Sequence, residues 1–513
     1  MFSAVYSGGI FGMQAYKVRV EVDISPGLPN FEMVGSLGSE VKEAKERVVV
    51  ALRNAGITIP VAKITLNLSP ARIRKDGTGY DLPIATAILG CMHYFEPKDF
   101  EDTAFIGELS LNGEIRGVNG CLPMVLALKE EGIRTVCVPE DNARECLLVP
   151  DIKIVSFRYL QEFLNFLCDK AGGIQKYRSM GTDYHDLEPK SVTEDFSDVY
   201  GQEHMKRAVM VAAAGFHHIL FSGPPGAGKT MIAKRIPGIM PPLQKEEQLE
   251  VLSIYSIAGK LDQQMFSVNR PFLSPHHTIS PQALAGGGRI PKPGLLSLAH
   301  KGVLYLDEMP EFASNVLEVL RQPMEDKKVE IARSYGIYKY PADFMLVCSL
   351  NPCPCGYFPD RNRCRCTESE IKRYIGKLSG PILDRIDIGV EASNIRIRDL
   401  AKEGVCLSTA EMKSRVEKAR KLQKMRYEKS HYSFNAGVHA RDVEKYCILG
   451  KKEKDFLEKI YEKNKLSVRS YHKIIKLART IADLEEEEEI RAVHLAEAVS
   501  YNNGKNYFLK EGQ

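Results

Sequence analysis

The chain has 513 residues, of which 44% are hydrophobic and 27% are charged, and its formal net charge is +4. This balance is typical of globular proteins, and the length suits two to four domains rather than one core. No apolar run reaches the roughly 18 residues that a membrane-spanning helix needs, and no basic residue precedes Lys17 as a signal peptide would require. Twelve cysteines without a secretion signal favour a reducing cytoplasm, where thiols stay free or bind metal.

Hydrophobic patterning divides the chain into three domains and one linker. Residues 1–170 alternate short β-like runs with helical stretches, and residues 171–195 lack apolar periodicity and indicate a linker. Residues 196–392 alternate strands and helices again, which is the pattern of a parallel α/β sheet. Residues 393–513 follow helical spacing. The predicted fold class is therefore multidomain α/β with a helical C-terminal region.

A glycine-rich loop marks a candidate phosphate site in the central domain. Residues 219–230 read ILFSGPPGAGKT, an apolar strand followed by G-x-x-x-x-G-K-T, and a helix is predicted to begin at Met231. The backbone N–H groups of such a loop converge on phosphate oxygens, Lys229 adds a point charge, and the Thr230 hydroxyl can complete Mg²⁺ coordination. An ordinary glycine turn is a poor alternative because the strand and the helix are both present. The residues predicted to hold the nucleotide are Gly223, Pro224, Pro225, Gly226, Ala227, Gly228, Lys229, Thr230 and Met231.

Two further strands end in polar side chains that suit phosphate chemistry. GVLYLDE (302–308) is an apolar strand that ends in two carboxylates, so that Asp307 can hold Mg²⁺ and Glu308 can polarise an attacking water. A buried strand that ends in acids is common by itself and gains meaning after the glycine-rich loop. FMLVCSLN (344–351) ends in Asn351, whose amide can hydrogen-bond the γ-phosphate or the attacking water.

Two arginines are candidates for contact with the γ-phosphate. Arg385 lies between two aspartates in LSGPILDRIDIGV (378–390), where it would complete a neighbouring subunit's nucleotide site more easily than its own. Arg469 lies near the start of a predicted long helix, SVRSYHKIIKLARTIADL (467–484). For either arginine the alternative is a surface ion pair.

A cysteine cluster follows directly from the strand that ends in Asn351. It consists of two Cys-x-Cys pairs, Cys353, Cys355, Cys364 and Cys366. Four thiolates suit a tetrahedral and purely structural Zn²⁺, since no coordination position would stay open for catalysis. A Cys-x-Cys chelate is strained, so a thiol-rich loop without metal is the alternative. Three arginines interleave with the cysteines and would either favour thiolates or serve a DNA surface: Arg361, Arg363 and Arg365.

Positive charge is concentrated towards the C-terminus. Residues 401–480 contain 21 lysine and arginine residues against 10 acidic residues, and the acidic run Glu485–Glu489 follows. Such a segment is usually a solvated helix face, and the sharper interpretation is a surface that meets phosphate backbones. Charge alone does not choose between the two.

These motifs, in this order, resemble the AAA+ ATPases of the magnesium-chelatase-like branch, and most closely the ComM/YifB family, over nearly the whole chain. The matching segments are GPPGAGKT, VLYLDE, SLNPCPCG, SGPILDRIDI and VRSYHKIIKLARTIADL, with VDISPGLPNFEMVG near the N-terminus. The resemblance implies a Walker A site at Lys229 and Thr230, a Walker B site at Asp307 and Glu308, and a first sensor at Asn351.

The resemblance also implies roles for the arginines and the C-terminal region. Arg385 would be the finger given to the adjacent subunit of a hexamer, Arg469 the second sensor, and residues 393–513 the helical lid. The last helix departs from the family pattern, because EAVSYNNG (497–504) has Asn502 where an arginine is usual.

Two insertions resemble features of the same branch. FLSPHHTISPQALAGGG (272–288) is similar to the helix-two insert, and VEIARSYGIYKYPADF (329–344) is similar to the hairpin before the first sensor. In related motors both point into the central pore and touch DNA. The hairpin interleaves charge with aromatic rings, at Arg333, Tyr335, Tyr338 and Lys339, although a plain exposed hairpin is the alternative. The pair His276 and His277 is interpreted as turn histidines rather than metal ligands.

The N-terminal domain resembles that of Lon-type proteases, which have a ribosomal S5 domain 2-like fold. The similar segments are KDGTGYD (75–81) and GELSLNGEIRGVNGCLPM (107–124). Alignment of the motifs puts Gly79 at the position of the serine nucleophile and Leu122 at the position of the lysine base. Because neither a hydroxyl nor an amine remains, the resemblance implies a retained fold without peptidase chemistry.

The resemblance implies an ATP-hydrolysing hexamer that acts in the cytoplasm on single-stranded, forked or branched DNA. The expected activity is branch migration or helicase action while incoming DNA recombines during competence, with ATP and Mg²⁺ as cofactors and no membrane partner. A protein remodeller or chaperone is the alternative, since aromatic pore residues would also suit a polypeptide. A metal-insertion subunit for tetrapyrroles ranks last, because no D-x-S-x-S domain follows the ATPase and such subunits lack the Lon-like front.

Overall fold

The computed structural model describes residues 1–168, 194–261, 269–392 and 407–511. The predicted linker, residues 171–195, lies outside this part of the chain except for its last two residues. The predicted start of the lid at residue 393 lies outside it as well. Among the helices within the described ranges, none combines the length and the apolar character needed to cross a membrane.

The N-terminal domain is a mixed sheet with helices on both faces. Its strands are β1 (Phe2–Phe11), β2 (Gln14–Ser25), β3 (Asn30–Val34), β4 (Lys63–Ser69), β5 (Thr103–Phe105), β6 (Glu108–Leu109), β7 (Ile115–Arg116), β8 (Thr135–Pro139) and β9 (Lys153–Phe157). Its helices are α1 (Ser39–Asn54), α2 (Asp81–Cys91), α3 (Cys121–Glu130), α4 (Glu140–Cys146) and α5 (Leu160–Cys168).

Seven of these strands form one sheet in the order β3-β4-β2-β1-β5-β8-β9. Successive side chains of a strand point to opposite faces, so a strand that is covered on both faces serves two hydrophobic clusters. In β5, Phe105 belongs to the cluster under α1, α2 and α5, whereas Ala104 belongs to the cluster under α3 and α4. The α+β domain implied by the resemblance to Lon-type proteases therefore has a core on each face of its sheet.

The central domain is a parallel sheet with helices. Its strands are β10 (Ile219–Ser222), β11 (Phe272–Leu273), β12 (Gly286–Gly287), β13 (Lys292–Pro293), β14 (Val303–Leu306), β15 (Lys328–Arg333), β16 (Gly336–Pro341), β17 (Met345–Leu350) and β18 (Ile388–Glu391). Its helices are α6 (Glu203–Gly215), α7 (Lys229–Ile239), α8 (Lys245–Ala258), α9 (Pro281–Ala285), α10 (Leu295–Leu298), α11 (Ser314–Glu318), α12 (Arg321–Asp326), α13 (Glu368–Ile375) and α14 (Gly380–Leu383).

Five parallel strands carry the site, in the order β11-β14-β17-β10-β18. Every residue of β10, β14 and β17 is buried, as expected for a parallel sheet that is covered on both faces. Because the strands run parallel, the loops that follow β10, β14 and β17 meet at one edge of the sheet. Open α/β sheets bind their ligands at this edge.

The C-terminal region is helical and packs on the central domain. Its helices are α15 (Thr409–Tyr427), α16 (Val443–Tyr446), α17 (Lys451–Asn464), α18 (Val468–Leu484) and α19 (Ala492–Glu511). A buried histidine, His217, joins the two units: its Nδ1 lies 3.2 Å from Asp387 Oδ2, and its Nε2 lies 2.9 Å from Thr480 Oγ1 of α18. This contact fixes α18 against the start of β18.

The N-terminal domain contacts the central domain through the hairpin β15–β16. The ring of Phe11, in the β1–β2 turn, lies 4.3 Å from the ring of Tyr338, and the Arg74 guanidinium lies 4.2 Å from the ring centroid of Tyr335. The Gly120 N–H also donates to the Ser256 carbonyl at 3.0 Å, which ties the start of α3 to α8.

Candidate active site

The glycine-rich loop joins β10 to α7 at the carboxyl edge of the central sheet. Gly226 and Gly228 have positive φ angles of 78° and 83°, a region in which side chains with a Cβ are strained. Gly228 is the residue before the helix, so α7 begins at Lys229. The predicted start at Met231 was therefore wrong by two residues, and Lys229 and Thr230 lie in the first helical turn. The free N–H groups of that turn, with those of the loop, form an anion site.

Lys229 is bound to oxygen atoms of its own loop and of the neighbouring strand end. Its Nζ donates to the carbonyls of Gly223 at 2.6 Å and Pro224 at 2.9 Å, and to Asn351 Oδ1 at 3.1 Å. Burial lowers the pKa of Lys229, and the charges of Asp307 and Glu308 oppose that shift. The structure thus brings together the lysine and the amide that the sequence predicts for one phosphate.

Asp307 follows β14 and faces the hydroxyl of Thr230. The Thr230 Oγ1 donates to Asp307 Oδ2 at 2.9 Å and lies 3.2 Å from the Tyr305 hydroxyl. Ser349 of β17 donates to the other carboxylate oxygen of Asp307. Burial raises the pKa of Asp307, but these hydroxyl donors outweigh it and the pKa is lowered. A charged carboxylate beside a hydroxyl oxygen is a donor set that suits Mg²⁺, so these residues fit the expected ion.

Glu308 has an exposed carboxylate on a constrained backbone. Its φ angle is 51°, in the left-handed region that glutamate rarely adopts. The Glu308 N–H donates to Ser349 Oγ at 3.1 Å, which holds this conformation. The side chain is exposed at the sheet edge and accepts no hydrogen bond from the described residues, so water can reach it. That placement matches the predicted role of polarising a water molecule.

The two candidate arginines lie together, on a carboxylate rather than at the glycine-rich loop. Arg385 Nη2 lies 2.8 Å from Glu325 Oε1, and Arg469 Nη2 donates to the same oxygen. A cavity of about 530 Å³ between the central domain and α18 is lined by both arginines. In this chain they therefore form one basic cluster, separate from Lys229 and Thr230.

The four cysteines following Asn351 converge on one point. All four sulfur atoms lie within 4.8 Å of one another. Measured sulfur separations are 3.3 Å for Cys353–Cys355, 3.7 Å for Cys353–Cys364 and 3.6 Å for Cys355–Cys364. A tetrahedral ZnS₄ centre with Zn–S bonds of about 2.3 Å requires sulfur separations of about 3.8 Å, so the donors fit zinc.

The cysteine loop also touches the glycine-rich loop. Gly356 has a positive φ angle of 83°, and a Cβ at this position would overlap Cδ and Cγ of Pro225. The arginines of the loop cover aromatic rings, with Arg363 4.0 Å from the Tyr357 centroid and Arg361 5.0 Å from that of Phe358. The cluster is thus part of the nucleotide site and not an independent module.

The hairpin β15–β16 presents only some of its predicted contact residues. Tyr335 is 61% exposed and the Lys339 side chain is also 61% exposed. Tyr338 is only 5% exposed because it packs on Phe11, so the expectation that it contacts DNA was wrong for this arrangement. Arg333 donates to the Gly288 carbonyl and is tied to the neighbouring insert.

The segment that resembles the Lon active site lines a cavity of about 330 Å³ between the two domains. It is lined by Gly79 and its neighbours from the N-terminal domain, and by Tyr338 and Pro291 from the central domain. Leu122 is fully buried in α3. The position that aligns with the serine nucleophile therefore lies in a cavity that the chain's own hairpin also lines.

The fold and the site agree with comparisons of the sequence with known proteins. Three family descriptions match: "Subunit ChlI of Mg-chelatase" at residues 20–142, "Magnesium chelatase, subunit ChlI" at 195–400, and "Magnesium chelatase, subunit ChlI C-terminal" at 407–502. The Competence protein ComM of Haemophilus influenzae is 40% identical over 97% of this chain and 96% of its own length. The chain belongs to the ComM/YifB family. The uncharacterized protein YifB of Escherichia coli is also 40% identical, over 97% of this chain and 96% of its own length.

A partial similarity to Lon proteases accompanies this membership. The Lon protease of Xanthomonas oryzae pv. oryzae is 25% identical over 178 residues, which are 31% of this chain and 21% of that protein. The predicted resemblance to a magnesium-chelatase-like AAA+ protein with a Lon-like N-terminal region is confirmed. As a ComM/YifB protein, the chain is an AAA+ ATPase.

Sequence reasoning missed several residues that hold the site together. Tyr305 and Ser349 lie inside apolar strands, and nothing in a strand pattern reveals that their hydroxyls reach Asp307 and Thr230. Gln202 precedes α6 with a φ angle of 58°, and its Nε2 donates to the Ala227 carbonyl at 3.2 Å. Glu325 lies in no recognisable sequence motif, so no pattern pointed to its role.

Proposed function

We propose that this ComM/YifB protein is a cytoplasmic ATP-driven hexamer that moves single-stranded, forked or branched DNA, as in branch migration during recombination of incoming DNA. One observation supports the proposed assembly of several subunits. The lysine, magnesium and water-polarising residues are together at one edge of the sheet, whereas Arg385 and Arg469 are on Glu325. A site whose arginines lie elsewhere is completed by a neighbouring subunit.

The roles of the chain's own residues follow from this geometry. Lys229 and the loop N–H groups would hold the phosphates of ATP, and Thr230 with Asp307 would hold Mg²⁺; ATP, when bound, supplies the γ-phosphoryl group. Asn351 is in place to sense the phosphate that Lys229 binds, and Glu308 is in place to orient the water. Arg385 and Arg469 of one subunit would contact the nucleotide of the next.

Three features support DNA as the substrate. The exposed Tyr335 and Lys339 combine a ring for base stacking with a charge for phosphate. The C-terminal residues 401–480 carry an excess of positive charge. The Haemophilus influenzae relative is named a competence protein.

The test is ATP hydrolysis with and without forked DNA, followed by branch migration on a synthetic three-way junction. We expect DNA to raise the hydrolysis rate and its binding to weaken steeply with salt. Hydrolysis at full rate by a monomer, indifferent to any DNA, would contradict both the ring and the substrate.

The second candidate function is that of a protein remodeller that uses the same ATPase site. It is favoured by the exposed Tyr335, because an aromatic pore residue also grips a polypeptide. Stimulation of hydrolysis by an unfolded protein and not by DNA would select this function.

We also propose that the four cysteines bind a structural Zn²⁺. Hydrogen bonds outweigh desolvation and lower the pKa of Cys355 to about 6, which favours a thiolate at this position. Elemental analysis after treatment with a weak chelating resin should find one zinc per chain, and Cys353→Ser should lose it. Zinc-free wild-type protein with full activity would contradict the site.

The Lon-like domain is proposed to lack peptidase activity. The chain has no hydroxyl at Gly79 and no amine at Leu122, and Tyr338 lies over the cleft. Purified protein should not cleave casein with ATP, and cleavage abolished by a mutation in the N-terminal domain would contradict this proposal.

A further inference from the structure

Glu325, in α12, is the meeting point of two arginines from different parts of the chain. Arg385 belongs to the central domain and Arg469 to α18 of the lid, and both donate to Oε1 of Glu325. The positive charges of Arg385 and Arg469 hold the pKa of Glu325 below its usual range, against desolvation. One carboxylate therefore links the core to the lid.

The other acids of the surrounding cavity are bound elsewhere. Asp343 pairs with Lys301 at 2.9 Å and with Lys327 at 3.3 Å. Asp387 pairs with Lys473 at 3.0 Å and with His217 at 3.2 Å. Within the described part of the cavity wall, Glu325 is the acid that compensates the two arginines.

Arg385 is folded back into its own chain. Its side chain is only 12% exposed, its Nη1 donates to the Pro381 carbonyl at 2.6 Å, and its buried Nε has no hydrogen-bond partner among the described residues. The guanidinium of Arg385 is therefore already bound to Glu325 and to its own backbone. To bind a phosphate of another subunit's nucleotide, Arg385 would exchange Glu325 for phosphate oxygens.

Glu325 is placed so that this exchange is feasible. Its side chain is 41% exposed, so it becomes hydrated when the arginines leave rather than staying as an isolated buried charge. A triphosphate with its metal offers several oxygen acceptors to the two guanidinium groups and can replace a single carboxylate. The bound and released states of the arginines are therefore close enough in free energy to be switched by a ligand.

We propose that Glu325 holds Arg385 and Arg469 retracted in the isolated subunit, and releases both to the neighbour's nucleotide when the ring closes. This inference rests on the proposed function, since it takes Arg385 and Arg469 to act in trans. Glu325 is then a positioning residue that opposes premature closure. Its removal should make assembly easier.

The test compares Glu325→Gln with Asp326→Asn in the full chain. Asp326 is the next residue of α12, is exposed, and accepts from Gln322 Nε2 at 3.2 Å, so its variant loses the same charge without touching the arginines. Sedimentation with ATP should show the assembly midpoint of Glu325→Gln at a chain concentration at least about threefold lower than in the wild type. Asp326→Asn should leave the midpoint unchanged. Equal midpoints for the two variants would overturn the inference.

A second pair of variants separates arginine release from a general charge effect. In a chain that already carries Arg385→Ala and Arg469→Ala, replacing Glu325 should leave the midpoint unchanged, because no arginine remains to be released. A threefold shift in that background would overturn the inference. If Glu325→Gln lowers the melting temperature, Glu325→Asp repeats the test with a shortened carboxylate and the same expected direction.

The wild type distinguishes the two levels of proposal. A wild-type chain that stays monomeric with ATP and hydrolyses it at full rate contradicts the proposed function. A wild-type chain that assembles, with a midpoint that Glu325→Gln does not shift, contradicts the inference about Glu325 alone.

Discussion

Glu308 shows how one residue can be exposed and yet fixed. Its left-handed φ angle of 51° and its N–H contact with Ser349 direct an exposed carboxylate to the edge where Lys229 and Asp307 meet. Strain of this kind is kept where the surrounding structure determines it, and it is common at active sites. The backbone conformation holds the carboxylate at this edge, so the carboxylate can hydrogen-bond a water molecule.

Replacing Glu308 by glutamine should separate binding from hydrolysis. Glu308→Gln keeps the shape of the side chain, so nucleotide binding should persist, whereas hydrolysis should fall by about 10²–10⁴-fold because the base is lost. Lys229→Ala, which removes the charge that contacts phosphate, should lose binding itself. Fluorescent-nucleotide binding and phosphate release measure the two effects. Glu308→Gln with normal hydrolysis would remove this residue from the reaction.

Asp343 should make the free energy of unfolding depend on pH. Burial opposes its ionisation, but Lys327 and Lys301 lower the pKa of Asp343 from 3.8 to about 2. A carboxylate with a lowered pKa stabilises the fold above its unfolded pKa and loses this contribution as the pH falls towards the folded value. The contribution is on the order of 2 kcal/mol and should disappear between about pH 4 and pH 2. Urea unfolding of Asp343→Asn should show a weaker dependence in this range, and an unchanged dependence would contradict the assignment.

The cysteine loop is an element that ties the cysteine cluster to the glycine-rich loop. Gly356 needs its positive φ angle and its lack of a Cβ to lie against Pro225, while Cys353 lies two residues beyond Asn351. A displacement of the cysteine cluster would therefore move both Pro225 and Asn351, which lie on either side of Lys229.

Gly356→Ala should weaken ATP binding about tenfold while zinc stays bound. The added methyl group is strained at this φ angle and overlaps Pro225, so it displaces the glycine-rich loop rather than the cysteines. Gly380→Ala is the matched control, since its Cβ would meet nothing within 4 Å. Titration of a fluorescent nucleotide and elemental analysis measure the two quantities. Equal affinities for the two variants would show that the loop does not support the site.

The hairpin β15–β16 carries two tyrosines with opposite environments. Tyr338 is buried against Phe11, so Tyr338→Ala should cost about 3 kcal/mol of unfolding free energy through loss of packing. Tyr335 is exposed under Arg74, so Tyr335→Ala should leave stability within about 1 kcal/mol and reduce stimulation of hydrolysis by DNA. Chemical denaturation and the DNA-dependent rate test both. Full DNA stimulation in Tyr335→Ala would argue against contact at this ring.

The proposal that two chains complete one nucleotide site belongs to the scale of the whole molecule, and mixing experiments test it. Arg385→Ala should bind ATP normally and hydrolyse it poorly, and added Lys229→Ala chains should partly restore hydrolysis by supplying Arg385 to the intact pockets. Phosphate release over a range of mixing ratios measures the rescue. No rescue at any ratio, with assembly intact, would contradict a shared site.

Much of the fold was predictable because it follows from local patterns. The buried strands β10, β14 and β17 are largely apolar runs, and each ends directly before a predicted site residue: Gly223, Asp307 and Asn351. Contacts between distant segments left no such pattern. The pairing of Arg385 with Glu325 joins positions sixty residues apart, and the burial of Tyr338 depends on a turn more than three hundred residues earlier.

The hydrogen bonds of Lys229 have a consequence for selectivity. Two loop carbonyls and the Asn351 amide surround the ammonium group of Lys229, so the pocket presents little uncompensated positive charge. An anion that binds weakly gains too little free energy to displace the three oxygen atoms bound to Lys229. A phosphate bound at this single point should therefore compete poorly with the nucleotide. A polyphosphate that also brings its own cation to Asp307 gains at several points simultaneously. The pocket should therefore select ligands that bind at several points, so the abundant small anions of the cell should not block nucleotide binding.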